Sequence, residues 1–210
     1  MSTEEADDQM PEGSVAINVL KVIIIGPPMA GKTAIIKRYV HHNFFSEGYK
    51  ATTGVDFSKK IVKWKDDAHV EVCIWDIGGQ DKFASHMPMF FRNSHGAVIV
   101  FDSTSEKSLA ETDYWRNLLK DSCPNIPILL LANKCDLAPR CFTETSIEQI
   151  VETQSYAGWY NTSAKEGTNL DVAFKFMVGK MMDNPTTVPV KRVGIVAPTP
   201  APPPPKTGCC

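Results

Sequence analysis

The sequence predicts an α/β domain whose mostly parallel sheet carries helices on both faces. Three observations lead there. Residues 17–25 are β-branched and almost wholly apolar, the pattern of a strand buried on both faces. A glycine-containing loop and a helix-like stretch, 33–42, follow directly. The remainder then repeats strand and helix in turn, which calls for a parallel sheet covered by its own crossovers.

Residues 57–64 and 70–75 alternate apolar and polar side chains around Lys65-Asp66-Asp67-Ala68, and read as two antiparallel strands joined by a turn. Further on, 97–101 is a strand, 107–119 an amphipathic helix and 126–132 another buried strand. Residues 146–154 read as a helix, Trp159-Tyr160 starts a short strand, and 170–182 forms a last helix with an apolar stripe. Ligands of such sheets bind at the loops beyond the carboxyl ends of the strands.

Both flanks differ from this core. Residues 1–16 contain Glu4, Glu5, Asp7, Asp8 and Glu12, with too few apolar groups to offset ordering, and are expected to be disordered. The domain proper is read as 17–183. Residues 184–210 hold more than half of the chain's fifteen prolines and only Lys191, Arg192 and Lys206 as charges. They are read as a flexible spacer that reaches on the order of 80 Å at ~3.1 Å per residue.

Composition excludes several classes. Apolar residues at 43% and charged residues at 22% are ordinary for a globular domain. A net charge of −2 offers no general attraction to nucleic acid. No apolar run reaches the ~18 residues of a membrane span. The acidic start resembles no secretory signal, and Ser2 stands where myristoylation needs glycine. The expected setting is therefore cytosolic and reducing. Cys73, Cys123, Cys135 and Cys141 lack metal-ligand spacing and are read as free thiols.

Four motifs fall on strand-end loops. Gly26-Pro27-Pro28-Met29-Ala30-Gly31-Lys32-Thr33 fits the phosphate loop G-x-x-x-x-G-K-[ST] between a strand and a helix. Its backbone N–H groups and helix start suit phosphate, Lys32 adds a point charge, and the Thr33 hydroxyl suits Mg²⁺. Asp76-Ile77-Gly78-Gly79 ends a strand with a carboxylate for Mg²⁺, usually through water, and a Gly79 N–H for the γ-phosphate. In Asn133-Lys134-Cys135-Asp136, Asp136 is placed to accept two hydrogen bonds from the N1 and N2 edge of guanine. Asn133 would tie this loop to the phosphate loop, and the Lys134 stem would cover the base. Ser163-Ala164-Lys165 follows the last strand as the partner loop for the guanine carbonyl.

Over roughly residues 19–182 the sequence resembles the Rab family of the Ras superfamily. Lys50-Ala-Thr-Thr-Gly-Val-Asp-Phe57 resembles the first switch and Trp75-Asp-Ile-Gly-Gly-Gln-Asp-Lys-Phe83 the second. Pro88-Met-Phe-Phe-Arg92 and Leu130-Leu-Ala-Asn-Lys-Cys-Asp136 are further Rab-like stretches. The resemblance implies a three-layer P-loop GTPase fold, with six strands of which one is antiparallel. It implies that Thr52 ligates Mg²⁺ with GTP bound, that Phe45 packs against guanine, and that Gln80 positions the hydrolytic water. Pro28, Met29 and Ala34 fall on the family's nucleotide-contacting positions. Phe57, Trp75 and Phe90 match its effector-reading aromatics, although spacing alone would make them core residues. Cys209-Cys210 resembles its double geranylgeranylation site, and two lipid chains give stable anchoring without a basic patch.

The implied activity is Mg²⁺-dependent GTP hydrolysis by a monomeric switch in vesicle trafficking. It would work on the cytoplasmic face of an intracellular membrane and cycle with the cytosol. Implied partners are effectors, an exchange factor, a GTPase-activating protein, a GDP-dissociation inhibitor and a prenylation escort protein. Ile77 and the Leu-Leu-Ala-Asn-Lys-Cys-Asp run are most similar to Rabs of endosomes and lysosome-related organelles. Thr53, Gly78 and Asp81-Lys82 depart from that subgroup on partner-reading surfaces. Pro27-Pro28 removes two N–H groups from the phosphate loop. Hence the alternative of a GTP-binding scaffold with little hydrolysis. A P-loop nucleotide kinase would need an acceptor pocket and a lid, for which the chain has no insertion.

Overall fold

A computed structural model describes residues 14–43, 52, 54–65, 69–78, 87–184, 187 and 190–195. In chain order the elements are β1 (Ser14–Ile25), α1 (Lys32–His41), β2 (Val55–Lys63), β3 (His69–Ile77), α2 (Met87–Phe91), β4 (Gly96–Asp102) and α3 (Glu106–Ala110). There follow α4 (Thr112–Ser122), β5 (Ile128–Asn133), α5 (Glu144–Thr153), β6 (Gly158–Asn161), α6 (Leu170–Met182) and β7 (Val190–Ile195).

The expected sheet is present as the path β2-β3-β1-β4-β5-β6, in which β2 alone runs antiparallel to its neighbour. Alternation along β1 sends Leu20, Val22 and Ile24 to one face and Ile23 and Ile25 to the other. The first face is closed by Ile35, Ile36 and Tyr39 of α1 with Phe174, Met177, Val178 and Met181 of α6. Tyr39 and Phe174 stack with ring centroids 3.9 Å apart and planes 8° from parallel, which locks α1 to α6. The second face is closed by Met87 and Phe91 of α2, Trp115 and Leu119 of α4 and Ile147 of α5. With both faces covered, β4 and β5 are buried along nearly their whole length, and their ends are the free positions for a ligand.

Three departures from the sequence expectation have physical causes. The predicted helix over 107–119 is interrupted at Glu111. The Thr112 hydroxyl donates to the Leu109 carbonyl at 2.7 Å, a side-chain bond that competes with the helical ladder. β1 begins at Ser14, inside the segment expected to be disordered. Most notably, the proline-rich tail supplies β7, which pairs antiparallel with β1 from Ser14↔Ile195 to Val19↔Val190. β4 joins β1 only from Val22 onward, so the first half of β1 would otherwise leave an edge open on that side. Val190, Val193 and Ile195 lie in a proline-free window of the tail and suit a strand.

A chain ending at Asn184 retains that residue's amide bond to the Asn125 carbonyl but lacks β7. Its unfolding free energy in urea should fall by about 1–4 kcal/mol, the scale of several strand hydrogen bonds less the cost of ordering the segment. Nucleotide affinity should stay unchanged, because β7 pairs no further along β1 than Val19. Equal urea midpoints for the two chains would contradict this role for β7.

Candidate functional site

The site is assembled at the carboxyl ends of β1, β3, β4, β5 and β6. β1 stops at Ile25 and α1 starts at Lys32, so residues 26–31 form a loop wrapped over a helix N-terminus. No acidic side chain occupies the first turn of α1, which leaves its positive end available to an anion. Lys32 is buried, and its Nζ donates to the Gly26 and Pro27 carbonyls at 2.7 and 2.8 Å. Burial pulls its pKa down to about 8, while the neighbouring Asp76 carboxylate opposes that shift. Pro28 and Met29 are exposed at the loop's crest, with Met29 in a left-handed conformation at φ 63°. Ala34 packs against the core beneath.

Asn133, at the end of β5, is fully buried and holds three loops together. Its Nδ2 donates to the Ala30 carbonyl at 2.8 Å, and its Oδ1 accepts from the Ala164 N–H at 3.1 Å. Gly31, at φ 94°, must lack a side chain here, since a Cβ would lie 2.3 Å from Asn133 Nδ2. Asp136 Oδ1 accepts from the Ser163 hydroxyl at 2.6 Å, and Ser163 Oγ in turn accepts from the Glu166 N–H at 3.0 Å. Lys165 is exposed beside them.

A second cluster joins α1, β3 and the segment before β2. The Thr33 hydroxyl lies 2.8 Å from that of Thr52 and donates to Asp76 Oδ2. Asp76 is buried, and its other oxygen has no hydrogen-bond partner. Burial pushes its carboxyl pKa up, against the Thr33 hydrogen bond and the Lys32 charge. Gly78 donates its N–H to the Gly54 carbonyl at 3.0 Å, and a Cβ there would lie 2.4 Å from the Thr52 carbonyl oxygen. Glycine at this position thus permits the two segments to approach closely.

Phe57, Trp75 and Phe90 are not part of this constellation. Trp75 and Asp76 are neighbours in β3 and face opposite ways. Phe57 pairs with Trp75 in register, 60% exposed, and its ring meets the indole edge-on with centroids 4.4 Å apart. Lys21 joins the third aromatic to them. Its Nζ lies 3.9 Å from the Trp75 ring centroid and donates to the Phe90 carbonyl at 2.6 Å. The spacing-based expectation of core residues fails for Phe57, because β2 is an edge strand with little cover.

Phe45, Gly79, Gln80, Cys209 and Cys210 lie outside the described residues. Two side chains with a place in these clusters carry no motif signal, Lys21 above and Asp102 at the end of β4. Asp102 Oδ2 accepts from Lys134 Nζ at 2.6 Å. Its one sequence cue is its place at the end of an apolar strand, ahead of the helix-capping Ser105. Among the described residues no cluster of three or more His, Cys, Asp or Glu side chains could hold a metal, and Cys73, Cys123, Cys135 and Cys141 form no disulfide and are half-buried. No described helix is long and apolar enough to cross a membrane.

Comparison with known proteins places this arrangement. The Ras family model matches residues 21–183. The Ras-related protein Rab-7L1 of Homo sapiens is 37% identical over 174 residues, which cover 80% of this chain and 85% of that protein. The Ras-related protein Rab-32 of Mus musculus is 35% identical over 203 residues, 92% of this chain and 91% of its own. Human Rab-32 is 38% identical over 178 residues, 82% and 79% of the two chains. Matches of this extent, over a phosphate loop, a buried asparagine tie and a Thr–Thr–Asp cluster at successive strand ends, show that the chain belongs to the Ras family and is a small GTPase of its Rab branch.

Proposed function

We propose that this Rab GTPase hydrolyses GTP slowly and recruits effectors to an endosomal or lysosome-related membrane while GTP is bound. The observation that carries the reading is the Asn133 tie. It holds the phosphate loop, the Asp136 loop and the Ser163 loop in one arrangement, as a ligand reaching from phosphate to base would need. Asp136 would accept from the N1 and N2 edge of guanine, and the Ala164 and Lys165 backbone would face its carbonyl. The loop 26–31, Lys32 and Ala34 would hold the phosphates, and Phe45 would pack against the base.

The residues present also fit Mg²⁺. One unpaired buried carboxylate oxygen of Asp76 stands with two threonine hydroxyls, an all-oxygen set of low charge. Such a set suits a hard cation that takes its remaining ligands from phosphate and water. Thr33, Thr52 and Asp76 would hold the ion, which would supply positive charge to offset that of the phosphates. Thr52 and the Gly79 N–H would respond to the γ-phosphate, and its loss would release both switch segments. Gln80 would orient the attacking water. With no arginine contributed by the motifs, rapid turnover would come from a GTPase-activating protein, worth about 10³–10⁵ in rate.

The exposed Phe57 with Trp75 and Phe90 would form the effector-reading face. An exchange factor, a GDP-dissociation inhibitor and a prenylation escort protein complete the expected partners. Residues 17–183 would act as the switch domain and Cys209-Cys210 as its prenylation site. β7 takes residues 190–195 of the tail into the sheet, so less of the tail would serve as spacer than the sequence alone suggests.

Three outcomes are expected. In single-turnover assays, Gln80→Leu should leave GTP affinity within about twofold and lower the hydrolysis rate at least tenfold. An unchanged rate would exclude a role for Gln80. Because burial holds Lys32 down to about 8, below the usual lysine value, a bound phosphate should draw a proton onto it. GDP binding at pH 8 should then take up roughly half a proton, and affinity should fall as pH rises from 7 to 9. Calorimetry in two buffers of different ionisation enthalpy reads this directly, and zero uptake would contradict it. Finally, Cys209→Ser/Cys210→Ser should be wholly cytosolic on fractionation with normal GTP affinity, and full membrane retention would rule out lipid anchoring through this pair.

A further inference from the structure

Asp102 occupies the last position of β4 and pairs in register with Asn133 of β5. It therefore stands one residue from Lys134, whose backbone turns left-handed at φ 66° directly after the buried asparagine. Three contacts pin that turn. The Ser103 N–H donates to the Asn133 carbonyl at 2.8 Å, the Cys135 N–H to the Thr162 carbonyl at 3.0 Å, and the Leu137 N–H to the Lys134 carbonyl at 2.9 Å.

The far end of Lys134 is fixed as well. Its Nζ donates to Asp102 Oδ2 at 2.6 Å, with the two side chains 29% and 18% exposed. The second carboxylate oxygen is equally engaged, since Asp102 Oδ1 accepts from the Thr104 N–H at 3.0 Å and from its hydroxyl at 2.7 Å. The Asp102 N–H donates to Ser108 Oγ at 2.9 Å, and Ser105 caps α3 through the Ser108 N–H. The carboxylate is thus seated in a rigid corner between β4 and α3, and does not swing with the lysine. Burial alone would push its pKa up, but the bonds from Lys134 and Thr104 hold it below the usual carboxylate value.

A surface ion pair between two mobile chains contributes little, because holding both in one geometry costs entropy. This pair differs in that one partner is immobile and the other is anchored at its backbone. We infer that Asp102 is a positioning residue for guanine nucleotide, holding Lys134 extended so that its methylene stem stays over the base and slows nucleotide release. The inference rests on the guanine reading of the Asp136 loop. Asp102 itself touches neither base nor phosphate. Thr104 supports it in turn, by occupying the oxygen that would otherwise let the carboxylate rotate.

The test is a double-mutant cycle on the dissociation rate of a fluorescent GDP analogue, using the full chain with Mg²⁺. Asp102→Asn should speed release about tenfold with association nearly unchanged, and Thr104→Val should give an intermediate increase. Lys134→Met should speed release by a similar or larger factor. The combined Asp102→Asn/Lys134→Met protein should release within about twofold of Lys134→Met alone, because the carboxylate then has nothing to position. A merely structural role would instead lower thermal stability and multiply the two rate effects. Such multiplication, or an unchanged rate in Asp102→Asn, overturns the inference. Failure of the unsubstituted chain to bind the GDP analogue would overturn the guanine reading and this inference together, a result separate from either of the others.

Discussion

One buried amide sets the geometry of everything above the sheet. Asn133 offers a donor and an acceptor on a single planar group, and both are used across loops distant in sequence, to Ala30 and to Ala164. In so buried a position, losing either partner would leave a polar atom unsatisfied, at a cost of about 1–3 kcal/mol. The loops at Ala30, Asn133 and Ala164 are therefore bound into one unit. Gly31 is the counterpart of this constraint, because any side chain there would displace the amide. The strands below contribute by ending at the same level, as the pairings Phe101↔Ala132 and Ala132↔Asn161 require.

Much of this was legible from the residues alone. Motifs with a backbone purpose, such as the glycine-spaced phosphate loop or an Asn-Lys-x-Asp turn after an apolar strand, announce themselves because few other residues can do the job. The helix over 107–119 misled for a local reason. Its apolar period continues through Glu111, and periodicity is blind to the Thr112 hydroxyl bond that interrupts the ladder. Phe57 misled for another, since alternation along an edge strand does not say which face will be covered. Asp102 was invisible because its role is to hold a residue 32 positions later, and no local pattern encodes such a partner. The tail misled through averaging. Its prolines dominate the composition from 184 to 210, while the short stretch Val190–Ile195 pairs with a strand at the other end of the chain.

The two faces of β3 carry different clusters. Asp76 turns to Thr33 and Thr52, and Trp75, one residue earlier, turns to Phe57 and the Lys21 ammonium and packs against the second core. A shift of this strand end moves both faces together, because the pleat allows no independent rotation of adjacent residues. Gly78 stands just beyond, where its missing side chain lets the Thr52 carbonyl approach. The segment around Thr52 is thereby in direct contact with the end of the strand that presents Trp75.

The pairing of β7 with β1 also gives the molecule a polarity. Ile195 lies opposite Ser14 at the start of β1, while the phosphate loop follows Ile25 at its end. Eleven residues of strand at ~3.3 Å each put these two points about 35 Å apart. Ser14 and Ile195 thus lie side by side at one pole of the domain, and the strand-end loops that carry the candidate site open at the other.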